Sequence, residues 1–444
     1  MEWVRPEDTA YDETRKLFNA MIDRRPAVIA RCAGAADVAE ALAHARANRL
    51  DVAVRAGGHS VAGMSTNDGG LVVDVRPMKS ITVDPDNRTV TVGAGVTWGE
   101  FDRATQEHGL ASTGGRASTT GVAGFTLGGG SGWLERSYGF ACDNLQSVDL
   151  VTADGDRVTA SAVENPELFW ALHGGGGNFG VATGFTFGLH DLGPTVHAGI
   201  MLFRGEDAPD LARAYRDISL KAPDAVGTAL VFLTAPPEPF VPEDMVGKPA
   251  VGLAYLYAGD PAAGAEEAAP FRALGPAVDL VGDMDYTAFQ CMIDDPPDLY
   301  HYWSAEYHDE LPDAALDVIV DAASRLPGPH SQHLVARWGG AVAGPAAAQT
   351  PLQNRGAQWV THPYGMEASA AAAEEAKAWV KQFRRDIAPY ANGGVWLNFV
   401  GDEGRDRVRA AFGEENYGRL ARVKREFDPE NVFRGNQNIL PAAS

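Results

Sequence analysis

Short stretches of alternating apolar and polar residues run through the first 190 positions, separated by stretches in which the apolar spacing lengthens to the helical period. Residues 36–48 are alanine-rich and predict a helix, and residues 51–55 predict the strand that follows it. Val72-Val73-Asp74-Val75, Ile81-Thr82-Val83 and Thr89-Val90-Thr91-Val92 predict further strands. Residues 97–108 predict a helix with Thr97 as its N-cap. Gly193-Pro194 punctuates the end of this region. From about 195 to 390 the pattern changes. Strands at residues 229–233, 251–257 and 333–338 alternate with alanine-rich helices near 205–220, 261–274, 313–325 and 368–387. Several strands with helices between them suggest a sheet covered on one face. The chain closes with Trp396-Leu397-Asn398-Phe399 and a helix at 415–427, stopped by Asp428-Pro429. The whole reads as α+β, without internal repeats or low-complexity linkers.

Composition narrows the partners. The 444 residues carry 37 Lys+Arg against 59 Asp+Glu, a net charge of −22. Such a surface repels phosphate backbones and anionic membranes, so neither nucleic acid nor lipid is an expected partner. No apolar run approaches a membrane span, and the first residues lack the apolar core of a signal peptide, so a cytoplasmic protein is expected. Cys32, Cys142 and Cys291 are far apart and form no CxxC pair, which argues against a disulfide scaffold or a thiolate zinc site. No metal site is expected. The sequence leaves the oligomeric state open.

Several catalytic signatures fail. Gly93-Ala94-Gly95 lacks the third glycine of the dinucleotide fingerprint, since Trp98 occupies its place. There is no GxSxG elbow and no HExxH helix, and Gly247-Lys248 is followed by proline. What remains is glycine-rich. A strand runs through Val54 into Arg55-Ala56-Gly57-Gly58-His59-Ser60, a turn whose backbone N–H groups can converge on an anion with His59 at its lip. A second run extends from Gly121 to Gly132.

In order along the chain these segments are joined by Gly69-Gly-Leu-Val-Val-Asp74, Ser118-Thr-Thr-Gly-Val-Ala-Gly124, Tyr138-Gly-Phe-Ala-Cys-Asp-Asn144, Gly174-Gly-Gly-Gly-Asn-Phe-Gly180 and Phe427-Asp-Pro-Glu-Asn-Val-Phe-Arg-Gly-Asn-Gln-Asn-Ile439. The set resembles the berberine-bridge-enzyme-like FAD-linked oxidases of the vanillyl-alcohol-oxidase/PCMH-type flavoprotein superfamily. The resemblance covers nearly the whole chain and is weakest between about 195 and 390. It implies a two-part PCMH-type FAD-binding domain at 1–194, a substrate domain with a mainly antiparallel sheet covered by helices at 195–395, and a segment at 396–444 returning to the FAD domain. It implies an FAD oxidase: hydride passes from a substrate alcohol, amine or secondary-metabolite ring carbon to flavin N5, and O2 reoxidises the flavin to give H2O2. A dehydrogenase using another acceptor and a flavin-holding protein without turnover stay open.

By the same resemblance, His59 would form a covalent bond to the flavin. The second link that many relatives make through a cysteine has Ala117 in its place, so Cys142 is expected to be a buried small hydrophobe. Arg55, Gly57, Gly58, Ser60, Ser118, Thr119, Gly121, Gly124, Gly128, Gly129, Gly132, Asn178, Gly180, Val181, Asn436 and Asn438 would complete the cofactor site. Trp396 stands where family oxidases carry a tyrosine that faces the flavin and helps deprotonate the substrate. Indole has no titratable oxygen and cannot act as a general base. Another residue is then the base, the substrate needs none, or catalysis is lost. His362 and Tyr364 share a face if Gln358-Trp-Val-Thr-His-Pro-Tyr364 is a strand, and His362 is the alternative base. The aromatic run from Tyr300 to His308 would line the same pocket and favours an apolar or ring-bearing substrate.

Overall fold

The computed structural model describes residues 1–294, 296, 298–344, 349–401 and 404–443. Its first sheet runs Glu2–Val4, Val28–Arg31, Leu71–Asp74, Val52–Arg55. The last three strands are mutually parallel, and Leu71–Asp74, in the middle, is buried along its whole length, the burial that parallel pairing demands. The helix Ala35–Asn48 covers this sheet through Val38, Ala41, Leu42 and Ala45, a stripe at helical spacing. It ends at Arg49, whose left-handed backbone (φ 54°) turns the chain into the next strand. The second sheet is antiparallel, in the order Ile81–Asp84, Thr89–Gly93, Val181–Gly188, Leu145–Val151, Arg157–Ser161. The helix Trp98–Gln106 starts as expected at Thr97, whose N–H and hydroxyl both donate to the Glu100 carboxylate (2.8 and 3.1 Å).

The third sheet is antiparallel and has nine strands, of which Thr195–Arg204, Pro249–Tyr257, Val226–Thr234, Gln332–Arg337 and Trp359–Glu367 are successive neighbours. Alternation sorts its two faces. Met201, Phe203, Leu230, Phe232, Leu253, Tyr255 and Val335 pack under the helices Ala208–Ser219, Pro261–Arg272, Asp313–Ala323 and Ala370–Ile387. Ile200, Leu202, Val231, Leu233 and Leu334 point the other way, into a cavity. The fold is thus α+β, with a helix-covered antiparallel sheet facing the two smaller sheets.

Two departures from the pattern reading concern the larger sheet and the final helix. The strand Thr195–Arg204 escaped it because this strand is buried on both faces and does not alternate. The final helix spans Arg405–Phe427, but Gly413 (φ 68°) breaks it, so the regular spacing begins only near 415. Among the described residues no helix is long and apolar enough to cross a membrane, and no cluster of His, Cys, Asp and Glu could hold a metal ion.

Candidate active site

A cavity of about 860 Å³ lies between the smaller sheets and the open face of the large one. Backbone contact shapes its floor. Gly57 and Gly121, one from each glycine-rich run, touch so closely that a Cβ on either would strike the other's amide nitrogen. Gly58 holds φ 76°, a value that glycine adopts without strain. A Cβ on Gly128 would strike the carboxamide of Asn398, which donates to Phe125 O (2.8 Å) and so ties the C-terminal segment to this floor. Gly124 and Gly177 have open space where a Cβ would stand, and both line the cavity.

His59 stands on the lip of the first turn. Its ring stacks on Phe18 (4.1 Å between centroids), and Phe18 stacks on His301 with its other face (4.4 Å). Nε2 lies 3.0 Å from Thr119 Oγ1 and Nδ1 lies 3.3 Å from Thr120 Oγ1. Desolvation pushes the imidazole pKa down to about 4, so the ring is neutral at pH 7 and keeps a lone pair.

The other expected cofactor residues divide into two groups. Gly57, Gly58, Ser60, Gly121, Gly124, Gly128, Gly180 and Asn436 line the cavity with His59. Arg55, Ser118, Thr119, Gly129, Gly132, Asn178, Val181 and Asn438 do not line it, although Thr119 reaches His59 at its lip. The Arg55 guanidinium donates to the carbonyls of Thr14 and Lys16 and braces the N-terminal segment instead of reaching the cavity. Ser118 donates through its N–H (2.6 Å) and its hydroxyl to the Asp294 carboxylate. Asn178 donates to Gly175 O (2.8 Å) and Gln437 O (3.2 Å) and accepts from the Ile439 N–H (3.0 Å), so its side chain is spent on holding the tail. Gly129 packs on the Trp396 ring, and Gly132 on Gly114. Asn436 donates to Gly177 O (3.0 Å), while its Oδ1 has no protein partner although buried.

A cavity of about 860 Å³ with a glycine floor, open glycine positions, an orphaned buried amide oxygen and a neutral imidazole at one lip fits a flavin dinucleotide. The comparisons agree. Residues 26–161 match the FAD binding domain family, and residues 395–440 match the berberine and berberine like family. The chain is 30% identical over 474 positions to (R)-6-hydroxynicotine oxidase of Paenarthrobacter nicotinovorans, covering all of this chain and 97% of that one. This chain belongs to the berberine-bridge-enzyme-like family of FAD-linked oxidases. The crystal structure of 6-hydroxy-D-nicotine oxidase from Arthrobacter nicotinovorans superposes with a TM-score of 0.88 at 28% identity, covering 99% of this chain and 98% of that one. Xylooligosaccharide oxidase from Myceliophthora thermophila shares the fold (TM-score 0.86, 22% identity, 100% and 97% covered). The protein is therefore an FAD-linked oxidoreductase of the superfamily's α+β fold.

Within that enzyme the three residues proposed for catalysis occupy different layers. Tyr364 lines the cavity. His362 is fully buried one layer back, its ring 3.7 Å from that of Tyr364 and stacked on Phe399 at 4.3 Å. Its Nδ1–H donates to Ser304 O (2.6 Å), which leaves Nε2 as the acceptor nitrogen, without a partner. Desolvation pushes its pKa down to about 3. Trp396 does not face the cavity. Its ring is 1% exposed and packs on Phe140 (4.4 Å), Trp338 (5.5 Å) and Gly129. The other three positions of this motif, Leu397, Asn398 and Phe399, all reach the cavity. A tryptophan at 396 is thus a packing choice and removes no base from the wall. Trp396→Tyr is expected to cost about 1–3 kcal/mol through lost packing and a hydroxyl forced into an aromatic core. A thermal melt should register that loss while the pH profile of turnover stays unchanged.

Pattern reading missed Phe18, the Lys424–Asp428 pair that anchors the tail, and Arg116. The Arg116 guanidinium sits over Trp133 (4.8 Å) and donates to Glu135 (3.0 Å) at the cavity wall. Phe18 and Arg116 acquire their roles through residues distant in sequence, whereas Lys424 and Asp428 pair within one helical turn and reach across to Asn178.

Proposed function

We propose that the enzyme oxidises the C–H of an alcohol or amine carbon, or of a secondary-metabolite ring, and passes the electrons to O2. FAD would be held covalently through His59 alone. When bound, FAD supplies the hydride-accepting and O2-reactive chemistry. The observation that carries the reading is His59: a neutral imidazole, clamped by Phe18, at the lip of a cavity floored by touching glycines. Ala117 lines the cavity where a second link would come from, which supports a single bond. Cys142 is buried beside Gly129, its N–H donating to Gly129 O (2.9 Å), and burial raises its thiol pKa well above the usual range.

Gly124 and Gly177 would let the backbone approach the cofactor, Gly57, Gly121 and Gly128 let the floor segments close on one another, and the Asn436 carboxamide has an acceptor oxygen to spare. Tyr364 is the cavity-facing group proposed to take the substrate proton as its phenolate, its own proton having first passed to solvent, with the neutral His362 ring packed beside it. His362 stays uncharged throughout the working pH range because burial disfavours the imidazolium. The partners are then a small-molecule substrate and O2.

Peptide mass spectrometry on acid-denatured protein tests the reading. FAD retained on the His59 peptide, and its loss in His59→Ala with a colourless acid pellet, is the expected result. Turnover of the variant with added FAD should fall roughly tenfold, about 1.4 kcal/mol of barrier. Flavin on a cysteine peptide would refute the single link, and a reduced flavin that stays bleached in air would assign a different acceptor.

A further inference from the structure

The roof of the cavity is one face of the nine-stranded sheet, and strand register decides its shape. Gly252 pairs with Leu202 on one side and Val231 on the other, and Ala254 pairs with Ile200 and Ala229. Val231 in turn pairs with Leu334, and Gln332 pairs with Tyr364. Directly paired residues share a face, as do residues two apart on one strand. The strand carrying Gly252 and Ala254 therefore presents a hydrogen and a methyl between Ile200 and Leu202 on one side and Ala229 and Val231 on the other, which leaves a slot. Nothing in the packing demands glycine there. A Cβ on Gly252 would meet Leu233 Cδ2 at 3.5 Å, Val231 O at 3.8 Å and Ile200 Cγ2 at 4.0 Å, all ordinary contacts, and its φ is not positive. The missing side chain is empty width.

The slot is apolar until its far end, where Gln332, Tyr364 and the indole of Trp303 bring polar groups to the cavity wall, with the buried His362 on the same face. Four exposed large apolar side chains, Phe240, Leu280, Met292 and Ile293, surround its mouth. The acids there are Glu238 and Asp294, and the Arg116 guanidinium on the cavity wall is already paired with Glu135. A saccharide would lose the hydration of several hydroxyls against aliphatic walls without replacement partners. An anion would face carboxylates and a protein of net charge −22.

We infer that the substrate is an apolar ring compound, neutral or amine-bearing, that lies in the slot over Gly252 and Ala254 with one polar group at the Gln332–Tyr364 end. This rests on the reading of the cavity as the flavin and substrate site. The test is a titration of anaerobic holoenzyme with 2-naphthol and with xylobiose, following the flavin absorption spectrum. 2-Naphthol should give a saturable perturbation and xylobiose none. Gly252→Leu should weaken the naphthol response at least tenfold with flavin content unchanged, and Ala254→Val serves the same purpose should Gly252→Leu not fold. A saturable response to xylobiose, or naphthol affinity unaltered in the slot variants, would overturn the inference. Flavin-loaded protein that ignores naphthol defeats the substrate class alone, whereas wild-type protein purified without flavin defeats the underlying reading.

Discussion

Acidification from pH 7 to 5.5 is expected to remove about 3 kcal/mol of folding stability, because the interior holds a set of histidines that cannot charge. His301, His308, His333 and His362 are all 1% exposed or less. Desolvation pushes their pKa values down to about 3, 4, 3 and 3. Both ring nitrogens of His301 and of His333 lack hydrogen-bond partners, so nothing inside the fold compensates a proton there. The unfolded chain binds protons at these sites below about pH 6.5, while the folded chain does not until about pH 4 or lower. Stability is therefore present above 6.5 and is lost as the pH falls toward the folded values, together about 5 kcal/mol by pH 5.5. Asp102 works in the opposite sense. Burial raises its carboxyl to about 7, so the folded state gains a proton over this range and offsets roughly 2 kcal/mol. Thermal melts of the holoenzyme across this pH range should show Tm falling by several degrees; a flat or rising Tm would contradict the account.

Asp428→Ala is expected to cost about 3–5 kcal/mol, since it strands a buried ammonium. Lys424 Nζ donates to Asp428 Oδ2 (2.7 Å), Asn178 O (2.7 Å) and Phe433 O (2.9 Å), and both side chains of the ion pair are fully buried. Asp428 also accepts the N–H groups of Val432 (2.8 Å) and Phe433 (2.9 Å), so one carboxylate organises the turn that leads the tail back. Phe433 and Asn436 line the cavity, and the loss should therefore appear in flavin retention as well as in urea denaturation. The double substitution Lys424→Met with Asp428→Leu should recover only part of the stability, because it removes both charges but leaves the Val432 and Phe433 N–H groups without their acceptor. If Asp428→Ala melted like the wild type, the tail would not depend on this pair.

Much of the architecture was legible in local pattern. The helix at Ala35–Asn48 follows from its buried stripe, the start of the helix at Trp98 from the Thr97–Glu100 exchange, and the four helices of the larger sheet from alanine-rich periodicity. The strands Leu145–Val151 and Val181–Gly188 went unread beside them, because only short parts of each alternate, at Val148-Asp149-Leu150 and Phe185-Thr186-Phe187. The candidate site was legible in a similar way. The glycine turns and His59 stand out because backbone contact and positive φ admit few other residues.

The sequence by itself determined the chemistry: two glycine-rich runs, a histidine at the lip of a glycine turn, and an ordered set of motifs are local facts that survive without coordinates. Orientation was the business of the tertiary structure. Arg55, Ser118 and Asn178 sit inside those motifs, yet their side chains hold neighbouring segments, because a polar group's role depends on which partner the fold brings within hydrogen-bond reach. Trp396 looked like a lost base until packing on Phe140 and Gly129 turned it away from the cavity and left Phe399 on the wall. Gly252, unremarkable in its strand, became a slot only when strand pairing set branched side chains on either side of it. Such roles come from contacts between residues tens to hundreds of positions apart, and no local window contains both members of the pair.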